Sequence, residues 1–509
     1  MSDTPGAPVD AARARAPSRR RVTLTLCALA GLLLLLLIPD PRPLPPVPAR
    51  GTPFEWNQDL VWEALESRSQ ALRTLSPEEA RVSVDAALAT LRSTLAELHA
   101  LSLEAPATVT PGVTAVLSRV EQATFDAAAA LAAHPERADE LVLLQSALRS
   151  DVKRLSRTLR PSESSARRLL YRALYGSRAA LEEVLLQMRP EDMPVLSRGE
   201  DEPSAAPSAE LRGVRVHSGD ILVSRGGAPT SALIARGNDY PGNFSHVALL
   251  YVSPEGEVET VESHIERGVV VAGIEQYLED RKLRVMLLRP RADQAALLQN
   301  PSLPHDAASR ARSAALARHI PYDFEGNRRD ASEQFCSEVV SANYGAEGLS
   351  LWEGLTTTSD PDTARWLGAF GVREFETHGP SDLEYDPKLV VVAEWRDPDA
   401  LFADHLDAAV VDALLEGARR GDAVTHDWRL LPVARLMKAY SWVLNRFGRV
   451  GPVPEGMSAT VALRVQALGA RHAALRAHVE TAATAYQREH GHRAPYWDLV
   501  RLAREANAR

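Results

Sequence analysis

The chain has almost no cysteine, no excess of positive charge and few aromatic residues. Its 509 residues hold 2 cysteines, 58 Lys and Arg against 67 Asp and Glu for a formal charge of -9, and 6% aromatics. With Cys27 inside an apolar run, Cys336 is the lone thiol of the remaining chain, which excludes an internal disulfide framework there. The acidic balance provides no basic face of the kind that binds nucleic acid. No Gly-x-Gly-x-x-Gly or Gly-Lys-Ser/Thr motif completes Gly226-Gly227, which therefore reads as a loop and not a phosphate cradle. Cys336, His246 and His264 match no common zinc spacing, so neither metal nor cofactor is expected.

What is present is a globular composition, 45% hydrophobic and 25% charged, on a chain too long for one hydrophobic core. Arg19-Arg20-Arg21 precedes an uncharged run from Val22 to Ile38. Basic residues on the amino-terminal side of an apolar stretch favour a cytoplasmic start and an exported body. The expectation is a single-pass inner-membrane helix with the rest outside the cytoplasm, or export after cleavage of a signal peptide near Val47-Pro48-Ala49. Cys27 sits early in the run, the wrong place for a lipid-acceptor cysteine.

Composition and periodicity divide the chain into a tail, anchor and Pro-rich segment (1–50), a helical bundle (51–188), a linker (189–210), a sheet-containing domain (211–398) and a carboxyl-terminal helical region (399–509). In the bundle, Val84, Leu88, Leu91, Leu95 and Leu98 recur at helical spacing. Ser76, Pro77 and Glu79 provide a capping box and a first-turn proline for that helix. The bundle holds no cluster of ligand-type residues; it reads as support or as a module for a protein partner. Residues 189–210 are rich in Pro, Ser and Glu, as in a linker. Beyond Arg212, short β-rich runs at 220–224, 247–252, 258–265, 269–271 and 284–288 predict a small sheet. A helix over 307–319, a second opening near Cys336 and a last strand over 390–394 follow.

Two residues of this region carry chemistry. Cys336 lies in Phe335-Cys336-Ser337-Glu338-Val339-Val340 at the start of a helical pattern, where unpaired N–H groups and the positive dipole end favour thiolate. His246 opens the strand Ser245-His246-Val247-Ala248, and an imidazole beside a thiol takes its proton and returns it to a leaving group. A turn at Ser253-Pro254-Glu255-Gly256 returns the strand as 258–265. If Val252 faces Glu257, His246 falls opposite Ser263, and a slip of one residue puts Glu262 or His264 there instead. Glu262 is the favoured third residue, holding the far imidazole nitrogen, with His264 as the alternative.

These residues belong to four ordered blocks: Ser218-Gly219-Asp220-Ile221-Leu222, Phe244-Ser245-His246-Val247-Ala248, Pro321-Tyr322-Asp323-Phe324 and Phe335-Cys336-Ser337-Glu338-Val339-Val340. In them the sequence resembles the permuted papain-like cysteine hydrolases of the YiiX-like group, relatives of the NlpC cell-wall peptidases and of lecithin:retinol acyltransferase. The histidine strand precedes the cysteine helix in that group, as here. The resemblance spans 211–397 and implies an α+β fold: a permuted papain-like domain with a small antiparallel sheet and helices, flanked here by the bundle and the carboxyl-terminal helices. It implies that the third catalytic residue maps to Glu262, that Cys336 forms a thioester, and that its backbone N–H helps hold the oxyanion. Asp220, Tyr322 and Asp323 are assigned structural roles. The expected activity is an envelope cysteine hydrolase cleaving amide bonds of peptidoglycan peptides or acyl bonds of lipids. An acyltransferase using the same thioester and an inactive membrane-tethered scaffold are the alternatives.

Overall fold

The first helices form where apolar spacing and capping residues direct them. The computed structural model describes Thr23, Cys27, Ala30, Gly31, 33–38, Asp40, 45–54, 60–280 and 282–508. Its five leading helices are α1 (Leu60–Arg73), α2 (Pro77–Glu104), α3 (Pro111–Ala133), α4 (Ala138–Leu155) and α5 (Ser164–Gln187). At the start of α2 the Ser76 hydroxyl accepts from the Glu79 N–H at 3.4 Å and the Glu79 carboxylate accepts from the Ser76 N–H at 3.0 Å. Prolines occupy the first turns of α2 and α3, where a missing N–H costs no hydrogen bond. Leu88, Leu91, Leu98, Leu131, Val152 and Leu181 are fully buried at the centre of the bundle. Each such side chain contributes about 1.5–3 kcal/mol of burial free energy.

The chain then passes through β1 (Leu196–Arg198), β2 (Ser208–Leu211), β3 (Val214–His217), β4 (Ile221–Gly226), α6 (Pro229–Arg236) and β5 (His246–Val252). Next come β6 (Val258–His264), β7 (Gly268–Gly273), α7 (Ile274–Glu279), β8 (Lys282–Pro290), α8 (Ala295–Gln299), α9 (Leu303–Ala317) and α10 (Cys336–Ala346). The segment closes with β9 (Thr356–Thr357), α11 (Pro361–Gly368), β10 (Glu376–Thr377), α12 (Asp382–Tyr385) and β11 (Leu389–Arg396). Seven strands pair in the order β1-β11-β8-β4-β5-β6-β7, every neighbour antiparallel, while β2 with β3 and β9 with β10 form separate ribbons. The architecture is α+β. The helical end comprises α13 (Pro398–Arg419), α14 (Leu431–Arg446), α15 (Ala459–His490) and α16 (Tyr496–Asn507).

The expected linker over 189–210 is not a free connection. Leu196, Ser197 and Arg198 pair with Trp395, Glu394 and Ala393 as the edge of the main sheet. Ser197 and Ala206 are buried. Polar composition had suggested a solvated segment, but an edge strand needs only one buried face, and its backbone satisfies its polar groups on β11. The apolar run Val22–Ile38 lies only in part within the described residues, and among those described no helix is long and apolar enough to cross a membrane.

Alternation along the strands sorts the side chains onto two faces. Ile221, Val223, Val247, Leu249 and Val261 pack beneath α9 and α10. Leu222, Ala248, Leu250, Val285 and Leu287 pack on the other face with the β2–β3 ribbon and Tyr277. Gly219 permits the entry to β4: its φ is +92°, and a Cβ there would stand 2.4 Å from the Pro304 carbonyl oxygen. The next residue, Asp220, accepts both Arg289 contacts at 2.8 Å and the His217 N–H at 2.8 Å, a buried tie across the sheet.

A buried ionic network joins bundle, sheet and carboxyl-terminal helices. Arg178 of α5 donates to Glu394 of β11 at 2.5 Å and to Glu384 of α12. One turn later, Glu182 pairs with Arg284 of β8 at 2.5 Å and with His405 of α13 at 3.0 Å. Asp404 of α13 pairs with Arg284 at 2.6 Å and with Arg225 of β4 at 3.2 Å. Burial alone would raise the Glu394 carboxyl, yet Arg178, Arg396 and Arg149 around it hold it down to about 2. Removing one partner strands the others without water, a loss of about 3–5 kcal/mol. E182A is therefore expected to lower stability by that amount in chemical denaturation. E97A, which breaks the exposed Arg119–Glu97 pair, is expected to cost at most about 1 kcal/mol. Equal losses from the two would contradict the assigned role of the network.

Candidate active site

His246 opens β5, and its place is fixed on both sides. Ser245 donates its N–H to the Ser224 carbonyl at 2.9 Å, while the Ser381 hydroxyl accepts from the Phe244 N–H and donates to the Phe244 carbonyl, each at 2.9 Å. Cys336 begins α10, directly after Phe335, whose extended backbone (φ -85°, ψ 174°) ends the preceding loop. That loop is held to the sheet where Ser263 of β6 donates its hydroxyl to the Gln334 carbonyl at 2.6 Å and Gln334 donates its N–H to Pro321 at 2.9 Å. The helix start is thus anchored two residues before the thiol.

The β5–β6 register is one residue away from the first expectation: Val252 pairs with Val258, and Ala248 with Glu262. The turn takes one residue more than a Val252–Glu257 pairing allows, with Ser253 donating its N–H to the Glu257 carbonyl at 2.9 Å. Continuing the ladder brings His264 opposite His246, their rings 5.6 Å apart, and leaves Glu262 on the diagonal of the same face. From there Glu262 reaches the His246 Nε2 at 2.5 Å, while the His264 Nε2 lies 3.4 Å from its other oxygen. The carboxylate lies between both rings. His264 touches Glu262, not His246, by hydrogen-bond geometry.

Cys336 packs with the α9–α10 face of the sheet, whereas Glu262 pairs with Ala248 on the opposite face. His246 meets both because it stands at the end of its strand, where a ring reaches round the rim. Its hydrogen-bond partner is Glu262, and the Cys336 sulfur lies close enough to act on the ring's charge. With Nε2 taken by Glu262, Nδ1 is the nitrogen left for the thiol. Burial pulls the imidazole pKa down, but Cys336 and Glu262 outweigh it and push the ring up to about 9. Burial pushes Glu262 up, and His246 and then His264 reverse this and hold it well below the usual carboxylate range. Cys336 is 5% exposed, against 18% for the His246 side chain and 28% for His264, so the open side of the group is its histidine edge.

Of the other residues of the site, Asp323 and Glu338 stand in the ordered blocks of the sequence, while Thr260 and Tyr277 do not. Thr260 donates its hydroxyl to Glu262 at 3.1 Å. It lies two residues before Glu262 on the same strand face, and that spacing was the available signal. Glu338, one turn into α10, accepts the Phe335 N–H at 3.0 Å. Burial pushes its carboxyl up to about 8, only partly offset by that N–H. Tyr277 of α7 is buried in the field of the site; burial and then the Glu262 charge push its hydroxyl above the usual range. Nothing in the local sequence around Tyr277 announced that meeting. Asp323 accepts the N–H groups of Glu325, Gly326 and Asn327 at 2.7, 3.0 and 2.6 Å and shapes the loop leading to Cys336. Among the described residues, no three His, Cys, Asp or Glu side chains gather as a metal site.

No family model, curated protein or solved structure matches this chain. What the arrangement offers is chemical: a thiol at a helix start, an imidazole beside it, and a buried carboxylate behind the imidazole.

The raised His246 pKa has a stability consequence. The folded chain keeps this proton where the unfolded chain loses it, so the contribution is fully present below 6.5 and is lost as pH rises through about 9. H246Q is expected to flatten the fall in thermal midpoint across that window. E262Q is expected to move it to lower pH by roughly 1 unit or more, since an adjacent opposite charge shifts a pKa by about 1–3 units. A wild-type pH profile that H246Q leaves unchanged would exclude the His246 ion pair.

Proposed function

We propose that the chain is a cell-envelope cysteine hydrolase with a permuted papain-like domain over 211–398, tethered to the inner membrane by Val22–Ile38 and acting outside the cytoplasm. The observation that carries this reading is His246, bonded to Glu262 and neighboured by Cys336 at the start of α10. The substrates it suits are amides of peptidoglycan peptides and acyl esters or amides of lipids.

In the proposed reaction His246 takes the Cys336 proton, the sulfur attacks the substrate carbonyl carbon, and the carbonyl electrons pass to oxygen. The first N–H groups of a helix have no intrahelical partner, and those at the start of α10 meet that oxyanion. His246 gives its proton to the departing nitrogen or oxygen as the carbonyl bond to it breaks, leaving a thioester on Cys336. Water then attacks the thioester, His246 takes the water proton, and the acid leaves as the sulfur returns. Glu262 keeps the imidazole oriented and stabilises its protonated form. An acyltransferase would differ only in accepting a second substrate in place of water.

A second reading has its own support: Cys336 is packed with Phe335, Val339 and Val340 in the sheet-helix core, as a structural thiol in an inactive scaffold would be. Incubation of the full chain with mixed muropeptides and phospholipids, with products identified by mass spectrometry, separates the two. The hydrolase reading expects a cleaved product that C336S abolishes and H246A reduces by about 100-fold or more. It further expects Cys336 to be alkylated by iodoacetamide near neutral pH faster than an ordinary thiol, and more slowly in H246A. A C336S chain that restores a deletion phenotype in full would instead establish the scaffold.

A further inference from the structure

Helix α14 is built inside out for a helix in water. A surface helix normally turns its large apolar side chains inward and its polar ones outward. Past Leu431 in its first turn, the residues facing the protein are small: Ala434 and Ser441 are buried, seven positions apart on one narrow stripe. Ser441 is overlaid by Gly451, where a Cβ would stand 2.4 Å from the Ser441 Cα, and its hydroxyl accepts the Val453 N–H at 2.9 Å. The outward residues are the large ones. Leu436, Tyr440, Trp442 and Phe447 are 57%, 52%, 71% and 77% exposed, and Trp428 just before the helix is 59% exposed. A contiguous exposed surface of this kind marks an interaction site.

Its charge names the partner. From Trp428 to Val450 there are five basic residues, Arg429, Arg435, Lys438, Arg446 and Arg449, and no acidic one, in a chain whose formal charge is -9. Aromatic and leucine side chains interleaved with arginine and lysine are the composition of helices that lie in the headgroup layer of anionic bilayers. The position agrees. The apolar run ends against this same helix: the Arg435 guanidinium donates to the carbonyls of Leu36 at 2.9 Å and Ile38 at 2.6 Å, and to the Asp40 carboxylate at 2.8 Å. Asp40 in turn accepts from Thr460 at the start of α15. Leu33, Leu34 and Leu35 are also exposed beside it.

We infer that α14 and the turn after it form a membrane-surface foot, with Tyr440, Trp442, Val443 and Phe447 in the headgroup region of an anionic bilayer and Arg446 and Arg449 at its phosphates. The foot stands on its own composition. It uses the anchor reading for one point, that the end of Val22–Ile38 lies at the same boundary.

The test places an environment-sensitive fluorophore on the full chain through W442C, in a C27S/C336S background, with L143C, an exposed leucine in the bundle, as control. Both sites project into solvent, so neither label disturbs packing. The chain is reconstituted into vesicles of phosphatidylethanolamine and phosphatidylglycerol. The expected result is a blue shift at 442 with several-fold stronger quenching by lipid-borne nitroxide than at 143, and little aqueous quenching. R446Q and R449Q are each expected to weaken this docking by roughly fivefold. Equal quenching at 442 and 143 overturns the inference, and so does a blue shift that persists without lipid, which would mean contact between copies of the chain. Carbonate extraction reads the anchor separately: a chain released by carbonate but still lipid-quenched at 442 loses the anchor and keeps the foot.

Discussion

The ionic network around Arg178, Glu182 and Arg284 is the constraint from which the rest of the structure follows. These charges are out of water, and each pairs with residues from other parts of the chain: α5 with β8 and β11, β8 with α13, β4 with α13. Charge burial costs more than it returns unless the geometry is complete, so the network acts less as a source of stability than as a condition on assembly. Bundle, sheet and carboxyl-terminal helices must therefore settle together. The condition extends to the site by one residue. Arg225 is in the network, and its neighbour Ser224 pairs with His246 across the sheet.

The site owes its composition to the rim of the sheet. In a strand interior the two faces are separated by the backbone, and a thiol on one face has no contact with a carboxylate on the other. At the first residue of β5 that separation ends, and His246 joins Cys336 to Glu262. The surrounding contacts serve this junction: Ser381 clamps the approach to the strand, Ser263 holds the residue two before the thiol, and Thr260 steadies the carboxylate. Burial raises the carboxyl of Glu338, beside the positive end of α10, above the usual carboxylate range.

The same physical rule separates the site from α14. The imidazole, its carboxylate and the loop before the thiol have their hydrogen-bond partners within the protein. The large apolar groups on the outer side of α14 are exposed, although the helix is securely attached through Leu431, Ala434, Ser441 and Arg435. One region is closed upon itself, and the other is complete only against a second apolar phase.

Much of this was legible along the chain. The α2 capping box, the helices of the bundle and the strands from β4 to β8 follow from local periodicity and capping, which need only neighbours in sequence. Cys336 and His246 stood out because the chain holds so little cysteine and because each begins a periodic element. The alternation between Glu262 and His264 was beyond local reasoning: register depends on how one turn closes, and a slip of one residue exchanges the faces of a strand. Only the folded hairpin, with Val252 on Val258, set Glu262 against His246 and left His264 beside it. The segment 189–210 had the composition of a linker, and it took β11, two hundred residues away, to make an edge strand of its middle. Tyr277 and the ionic network belong to the same class. Sequence determined which elements form and which residues carry reactive groups; tertiary structure decided which of them meet, because pairing across a sheet and the satisfaction of buried charge are properties of distant segments brought together.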